Sequence, residues 1–149
     1  MEYFAHSQKE FVYKYVVMLS DVDQFKHMSF ANHLKLMFLA TDALFVSCLK
    51  GDFLEKNRFK LLDSRMQFKK QTTAGDQILI KINSSEIATA RFSLIYTFIM
   101  EGSGDLVNLG RQTYEIISRN GGFKRIISEV IGPVLNPIQV DENHLLYKY

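Results

Sequence analysis

Cysteine is nearly missing from this sequence. The one present, Cys48, excludes an internal disulfide and any cysteine-rich zinc site. Within the apolar run LFVSCL it reads as a small buried hydrophobe. An excess of either charge is missing too. The 18 basic and 16 acidic residues leave a net charge of +2, too even to mark a nucleic-acid or anionic-membrane partner. No apolar run approaches the ~18 residues of a membrane span, and MEYFAHSQKE lacks the basic start and apolar core of a secretion signal. The expectation is a soluble, reduced, cytoplasmic protein. No serine stands in a G-x-S-x-G context, and neither G-x-G-x-x-G nor a P-loop occurs, so serine hydrolases and nucleotide-dependent chemistry have no support. Low-complexity stretches, internal repeats and Pro/Gly-rich linkers are absent as well, and residues 1–149 are expected to form one domain.

What is present is an ordinary globular composition, 47% apolar and 23% charged, long enough to bury a sizeable core. Phe11 to Leu19, FVYKYVVML, is short, aromatic and β-branched, and predicts a strand. From Phe30 to about Leu49 the apolar residues Leu34, Met37, Phe38, Leu44, Phe45 and Leu49 recur at three- and four-residue spacing, one face of a helix. Leu36, Leu39 and Val46 make the other faces apolar as well, which predicts a helix enclosed on most sides. Gly51 reads as its stop.

Beyond Gly51 the pattern is strand-like to about residue 118. FKLLDSRMQFKK leads to the turn TTAGD, QILIKINSSEI places Ile78, Ile80 and Ile82 on one face, and RFSLIYTFIM, the turn EGSGD and LVNLGRQTYEII follow. The last three of these strands are expected to run as neighbouring antiparallel hairpins. The tail from Gly121, with FKRIISEVIGPVL and both prolines, reads as loop with one helical turn. A sheet must cover its apolar face, and the Phe30–Leu49 helix is the one large apolar element available. The expected fold is therefore α+β: an antiparallel sheet of about five strands wrapped around one long central helix, the hot-dog arrangement. Its open edges predict closure by dimerisation.

The polar residues concentrate in SDVDQFKHMSFANHL, residues 20–34, between the first strand and the helix. A loop with a cap, a metal site or a catalytic turn would each use such residues. Asp21 and Asp23 suit a loop or a cap before a helix. A metal site has little support: no His-x-x-x-His occurs on the helix and cysteine cannot contribute. A catalytic turn has a physical basis. Unsatisfied N–H groups gather at a helix start, where the dipole is positive, and donors aimed at a developing oxyanion contribute several kcal/mol to acyl transfer. A carboxylate a few residues upstream could face the same carbonyl as general base or nucleophile. That pairing suits thioester hydrolysis and needs neither metal nor cofactor.

This stretch resembles the signature of hot-dog acyl thioesterases of the 4-hydroxybenzoyl-CoA thioesterase type: Asp-x-Asp, a short spacer, then an aromatic or histidine and Ala-Asn-Tyr-Leu. Here it reads Asp21-Val22-Asp23 and Phe30-Ala31-Asn32-His33-Leu34, with Lys26 where the family often has glycine and His33 in place of the tyrosine. The resemblance implies that Asp23 is the catalytic carboxylate, that the Phe30 amide is the oxyanion donor and that Asn32 helps hold the turn. A related branch, the plant-type acyl-carrier-protein thioesterases, has a histidine after the aspartates, and His27 matches it. FKKQTTAGDQILIKI and LGRQTYEII are similar to later strands of the family, and the resemblance covers roughly the first 118 residues.

It implies hydrolysis of an acyl-CoA or acyl-carrier-protein thioester by a homodimer or homotetramer. A dehydratase or hydratase on the same fold, or a non-catalytic protein that binds acyl chains or a carrier, stand as alternatives. For several residues two readings remain open. His27 is a substrate-side hydrogen-bond partner or a structural polar residue. His33 lines a pocket or a subunit contact. Met28, Phe30, Met37 and Phe38 line an acyl channel or fill the core. Lys69, Lys70 and Arg91 contact phosphate or are solvated surface.

Overall fold

The computed structural model describes residues 3–5, 10–49, 55, 57–87, 91–118, 139–141 and 146–148. In chain order the elements are β1 (Tyr3–Ala5), β2 (Phe11–Val16), α1 (Phe30–Cys48), β3 (Asn57–Phe68), β4 (Gln77–Ile87), β5 (Arg91–Met100), β6 (Leu106–Ser118), β7 (Gln139–Asp141) and β8 (Leu146–Lys148). Six strands form one antiparallel sheet in the order β1-β2-β4-β5-β6-β3, and β7 pairs with β8. No helix among the described residues is long and apolar enough to cross a membrane.

The helix starts where the sequence places it. Ser29 has an extended backbone, φ −73° and ψ 162°, and its hydroxyl accepts from the amide of Asn32 at 3.3 Å, which caps the first turn. At the far end the Leu49 amide donates to the carbonyl of Phe45, while Gly51 and the tail from residue 119 to 138 lie outside the described residues. The buried face carries Leu36, Met37, Ala40, Leu44 and Phe45, and the sheet covers it with Ile78, Ile80, Ile82, Phe92, Leu94, Tyr96 and Phe98. Packing is closest at Gly110. A Cβ built there would sit 2.7 Å from Met37 Cε, so glycine lets β6 approach the helix.

The five longer strands and the long central helix of the described residues are the hot-dog arrangement that the order of elements implies. β4, β5 and β6 run as consecutive antiparallel neighbours. Register irregularities at Leu61/Asp63, Ser84/Glu86 and Phe98/Ile99 bend the strands, as a sheet that wraps a helix requires. β3 does not stay beside β4: it crosses to the far edge and, among the described residues, pairs only with β6.

Three expectations need correction. The first strand ends at Val16 rather than Leu19, because Leu19–Asp21 forms a 3-10 turn. A short strand, β1, is added outside β2. The tail is not loop throughout, since β7 and β8 pair there. The helix is enclosed on most sides as expected, with Lys35, Phe38, Asp42 and Val46 exposed as a stripe along one side.

Candidate functional site

The connection from β2 to α1 is a compact double turn. Asp21 is buried, and its Oδ2 accepts from the Tyr15 hydroxyl at 2.6 Å and from the Met18 amide at 2.8 Å. Burial and this carboxylate together push the Tyr15 phenol well above its usual range. The Asn32 side chain donates from α1 to the Asp21 carbonyl at 2.6 Å. Val22 then bridges Met28, closing residues 23–27 into a tight loop in which the Asp23 amide donates to the His27 carbonyl and the Lys26 amide to the Asp23 carbonyl. Lys26 holds φ 65°, the left-handed region that glycine favours. The backbone thus keeps a glycine-like conformation although the residue is lysine.

Asp23 is exposed. Its Oδ1 accepts from the amides of Phe25 at 2.8 Å and His27 at 3.3 Å, which fixes the side chain in the loop. Its Oδ2 has no partner among the described residues. One turn on, the amides of Phe30 and Ala31 precede the first intrahelical bonds, which the amides of Asn32 and His33 make to the Ser29 carbonyl. No acidic residue occupies the first turn of α1, so no side chain there neutralises the positive end of the dipole.

These groups border one cleft of about 760 Å³. Asp23, Phe25, His27, Phe30 and His33 form one wall, and Phe68, Lys69, Lys70 and Gln71, at the end of β3 and just beyond it, form the other. The Met28 amide donates to the Thr72 carbonyl at 3.0 Å and so joins the two walls. The Phe30 and Phe68 rings meet with centroids 5.5 Å apart. His33 is 1% exposed. It is set edge-on to Phe68 at 4.7 Å and stacked on Phe98 at 5.8 Å, and burial lowers its pKa from 6.5 to about 4, so the ring is neutral at ordinary pH.

Of the residues singled out in the sequence, Asp23, His27, Phe30, His33, Lys69 and Lys70 meet at this cleft, and Asn32 braces it from behind. Lys70 is already committed to Asp105 at 2.6 Å, which holds that carboxyl below its usual range. Three residues lie elsewhere. Met37 is fully buried in the core against Gly110, and Phe38 turns to the exposed stripe. Arg91 pairs with Glu115 at 3.4 Å. It is seven residues along β5 from Phe98, roughly 23 Å at the rise of a strand. Phe68, Gln71 and Asn108 were not singled out. Asn108 Nδ2 lies 3.3 Å from His33 Nδ1 across 75 residues of chain, and no local pattern announces that pairing. Among the described residues, no group of three or more potential metal ligands is gathered.

The thioesterase-like superfamily matches this chain over residues 17–135. Among solved structures, a hypothetical protein from Staphylococcus aureus determined in complex with CoA superimposes with a TM-score of 0.78, at 16% identity over 98% of this chain and 98% of its own. A 1,4-dihydroxy-2-naphthoyl-CoA thioesterase from Synechocystis gives 0.68 at 18% identity, over 74% of this chain and 83% of its own. A probable thioesterase from Escherichia coli gives 0.70 at 13% identity, over 84% and 98%. At these identities the likeness is one of fold. No curated protein matches the sequence.

Proposed function

The chain belongs to the thioesterase-like superfamily, and from that premise we propose that it hydrolyses acyl thioesters carried on CoA or on the phosphopantetheine arm of a carrier protein. One observation supports the reading most: the Asp23 carboxylate and the free amide at Phe30 border the same cleft. In this reading the Asp23 Oδ2 either draws a proton from the water that attacks the thioester carbon, or attacks that carbon itself to give an anhydride that water then opens. In both cases the C–S bond breaks and the pantetheine thiol leaves with a proton. The Phe30 amide receives the oxyanion. The amides of Phe25 and His27 hold Oδ1, so the carboxylate is oriented before substrate arrives. Asn32 keeps the helix start in register with the loop. His27 and His33 meet the substrate from the same wall. Lys69, which makes no ion pair among the described residues, contacts phosphate, whereas Lys70 has to leave Asp105 to do so.

We also assign a homodimer as the smallest working unit, with a tetramer as the larger alternative. The cleft opens beside β3, one of the two edge strands of the described sheet, and Phe25, Phe30 and Phe68 are exposed around it. A second copy pairing along that edge would cover all three rings and screen Asp23 from bulk water. Sedimentation of the intact protein tests the assembly: a monomer at micromolar concentration would remove it.

The activity is tested by a hydrolysis screen over short, long and aryl thioesters on both CoA and a carrier protein, with Asp23→Asn as control. Turnover lowered by orders of magnitude in the variant is expected. Enoyl-thioester hydration without cleavage, or ligand binding without turnover across the panel, would replace the hydrolase reading.

A further inference from the structure

His33 is a polar ring in an aromatic slot, and only one of its nitrogens is accounted for. Nδ1 faces Asn108 Nδ2 at 3.3 Å. The structure turns the amino group of Asn108 toward both partners: the same Nδ2 lies 3.4 Å from Met66 Sδ, a weak acceptor, and Oδ1 is buried with no partner among the described residues. An amino group only donates, so His33 Nδ1 accepts. In a neutral imidazole the proton then resides on Nε2. Nε2 has no partner among the described residues, although His33 is 1% exposed and is one of the residues that line the cleft. A donor so placed, with Phe68 and Phe98 against the ring, has to be satisfied by what enters the cleft.

Its height on the helix narrows what that is. His33 lies three residues beyond Phe30, about 4.5 Å further along the axis and on nearly the same face. A thioester whose carbonyl oxygen sits at the Phe30 amide would present the next few acyl carbons at that height. We infer that His33 Nε2–H selects acyl groups carrying an oxo or hydroxy oxygen near the third carbon, and that Asn108 is the positioning residue that fixes this tautomer. The inference rests on the thioesterase reading for where the carbonyl lies, and it adds the chemical class of the acyl group. A plain aliphatic chain in the same place leaves the donor unpaired, and a site built around a hydrogen bond discriminates strongly against the analogue that lacks it.

The test uses pantetheine thioesters, because that arm is common to CoA and carrier proteins. The ratio of kcat/KM for 3-oxohexanoyl over hexanoyl pantetheine is expected to be roughly tenfold or more in the unaltered protein. It should fall toward unity in His33→Phe, which keeps an aromatic ring between Phe68 and Phe98. His33→Gln, which keeps an N–H donor, should retain part of the preference. A 3-hydroxyhexanoyl arm tells the oxo group from the hydroxyl. An unchanged ratio in His33→Phe overturns the inference and leaves the thioesterase reading standing. If no thioester is cleaved, that reading falls instead, and binding still decides the point. Equal Kd values for the non-hydrolysable thioethers S-(3-oxohexyl)- and S-hexyl-pantetheine on the unaltered protein overturn the inference with no variant required, and a tenfold difference supports it.

Discussion

The Asn32 side chain donates to the main-chain carbonyl of Asp21 at 2.6 Å, joining the first turn of α1 to the turn that ends β2. The two residues are eleven apart, and between them lie Asp23, whose side chain holds the loop, and the amide of Phe30. This side-chain bond, with the Val22–Met28 bridge and the backbone bonds inside the loop, sets the spacing between carboxylate and helix start. Asn32→Ala removes that bond and leaves the Asp21 carbonyl without it, at an expected cost of about 1–2 kcal/mol in stability. The effect on turnover should be larger, a fall of roughly tenfold to a hundredfold in kcat, since misplacement by about 1 Å is costly in a preorganised site. Thermal unfolding and kinetics on the same preparation check this. Equal kcat in parent and variant would show that the brace does not matter to the chemistry.

Asp23→Asn should separate chemistry from structure. The asparagine oxygen can still accept from the amides of Phe25 and His27, so the loop keeps both of its side-chain bonds. What is lost is the second carboxylate oxygen as base or nucleophile. A drop of roughly 10²–10⁴ in kcat is expected, with an unfolding midpoint close to that of the parent. Near-parental turnover in a well-folded variant would refute the carboxylate role.

The helix and the longer strands were legible because their signals are local. Ser29 before an apolar run marks the start of α1, and the alternation of Ile78, Ile80 and Ile82 marks the inner face of β4. β1 was not, because three residues carry no period. Neighbours along a helix show why the channel and core readings of Met37 and Phe38 stayed open in the sequence. Met37 and Phe38 differ by about 100° around the axis, so one enters the core and the other faces outward. Lys69, Lys70 and Arg91 look alike as basic residues, yet β5 carries Arg91 to the other end of the sheet. The His33–Asn108 contact depends on how β6 registers against the helix, information spread over 75 residues. Lys26 shows the converse. The sequence breaks the family's glycine habit, and the loop's backbone bonds impose the left-handed conformation all the same.

That conformation yields a stabilising substitution. A side chain in the left-handed region costs roughly 1–2 kcal/mol, and Lys26 has no side-chain bond among the described residues to offset it. Lys26→Gly should raise stability by about 0.5–1 kcal/mol after the greater freedom of glycine in the unfolded chain is subtracted. For a chain of this size that is a rise of roughly 1–4 °C in Tm. Lowered Tm would mean that the lysine side chain contributes something the loop geometry does not reveal.

His33 should make stability depend on acidity in a way that can be isolated. Burial sets its folded pKa at about 4, against 6.5 for the exposed ring. Between these values the unfolded chain binds the proton and the folded chain does not. The stability is therefore complete above pH 6.5 and declines as the pH falls toward 4. The full span corresponds to about 3 kcal/mol. Carboxylates also titrate at the lower end of this range, but they do so equally in His33→Phe, where the imidazole is gone and the ring contacts with Phe68 and Phe98 are kept. Denaturant unfolding of both proteins at half-unit steps from pH 7.5 to 4.5 gives the difference directly. Relative to the variant, the parent should lose roughly 2–3 kcal/mol across that range, most of it below pH 6.5. Parallel curves would mean that the ring takes up its proton inside the folded protein without penalty, which is incompatible with a neutral donor held between two phenyl rings.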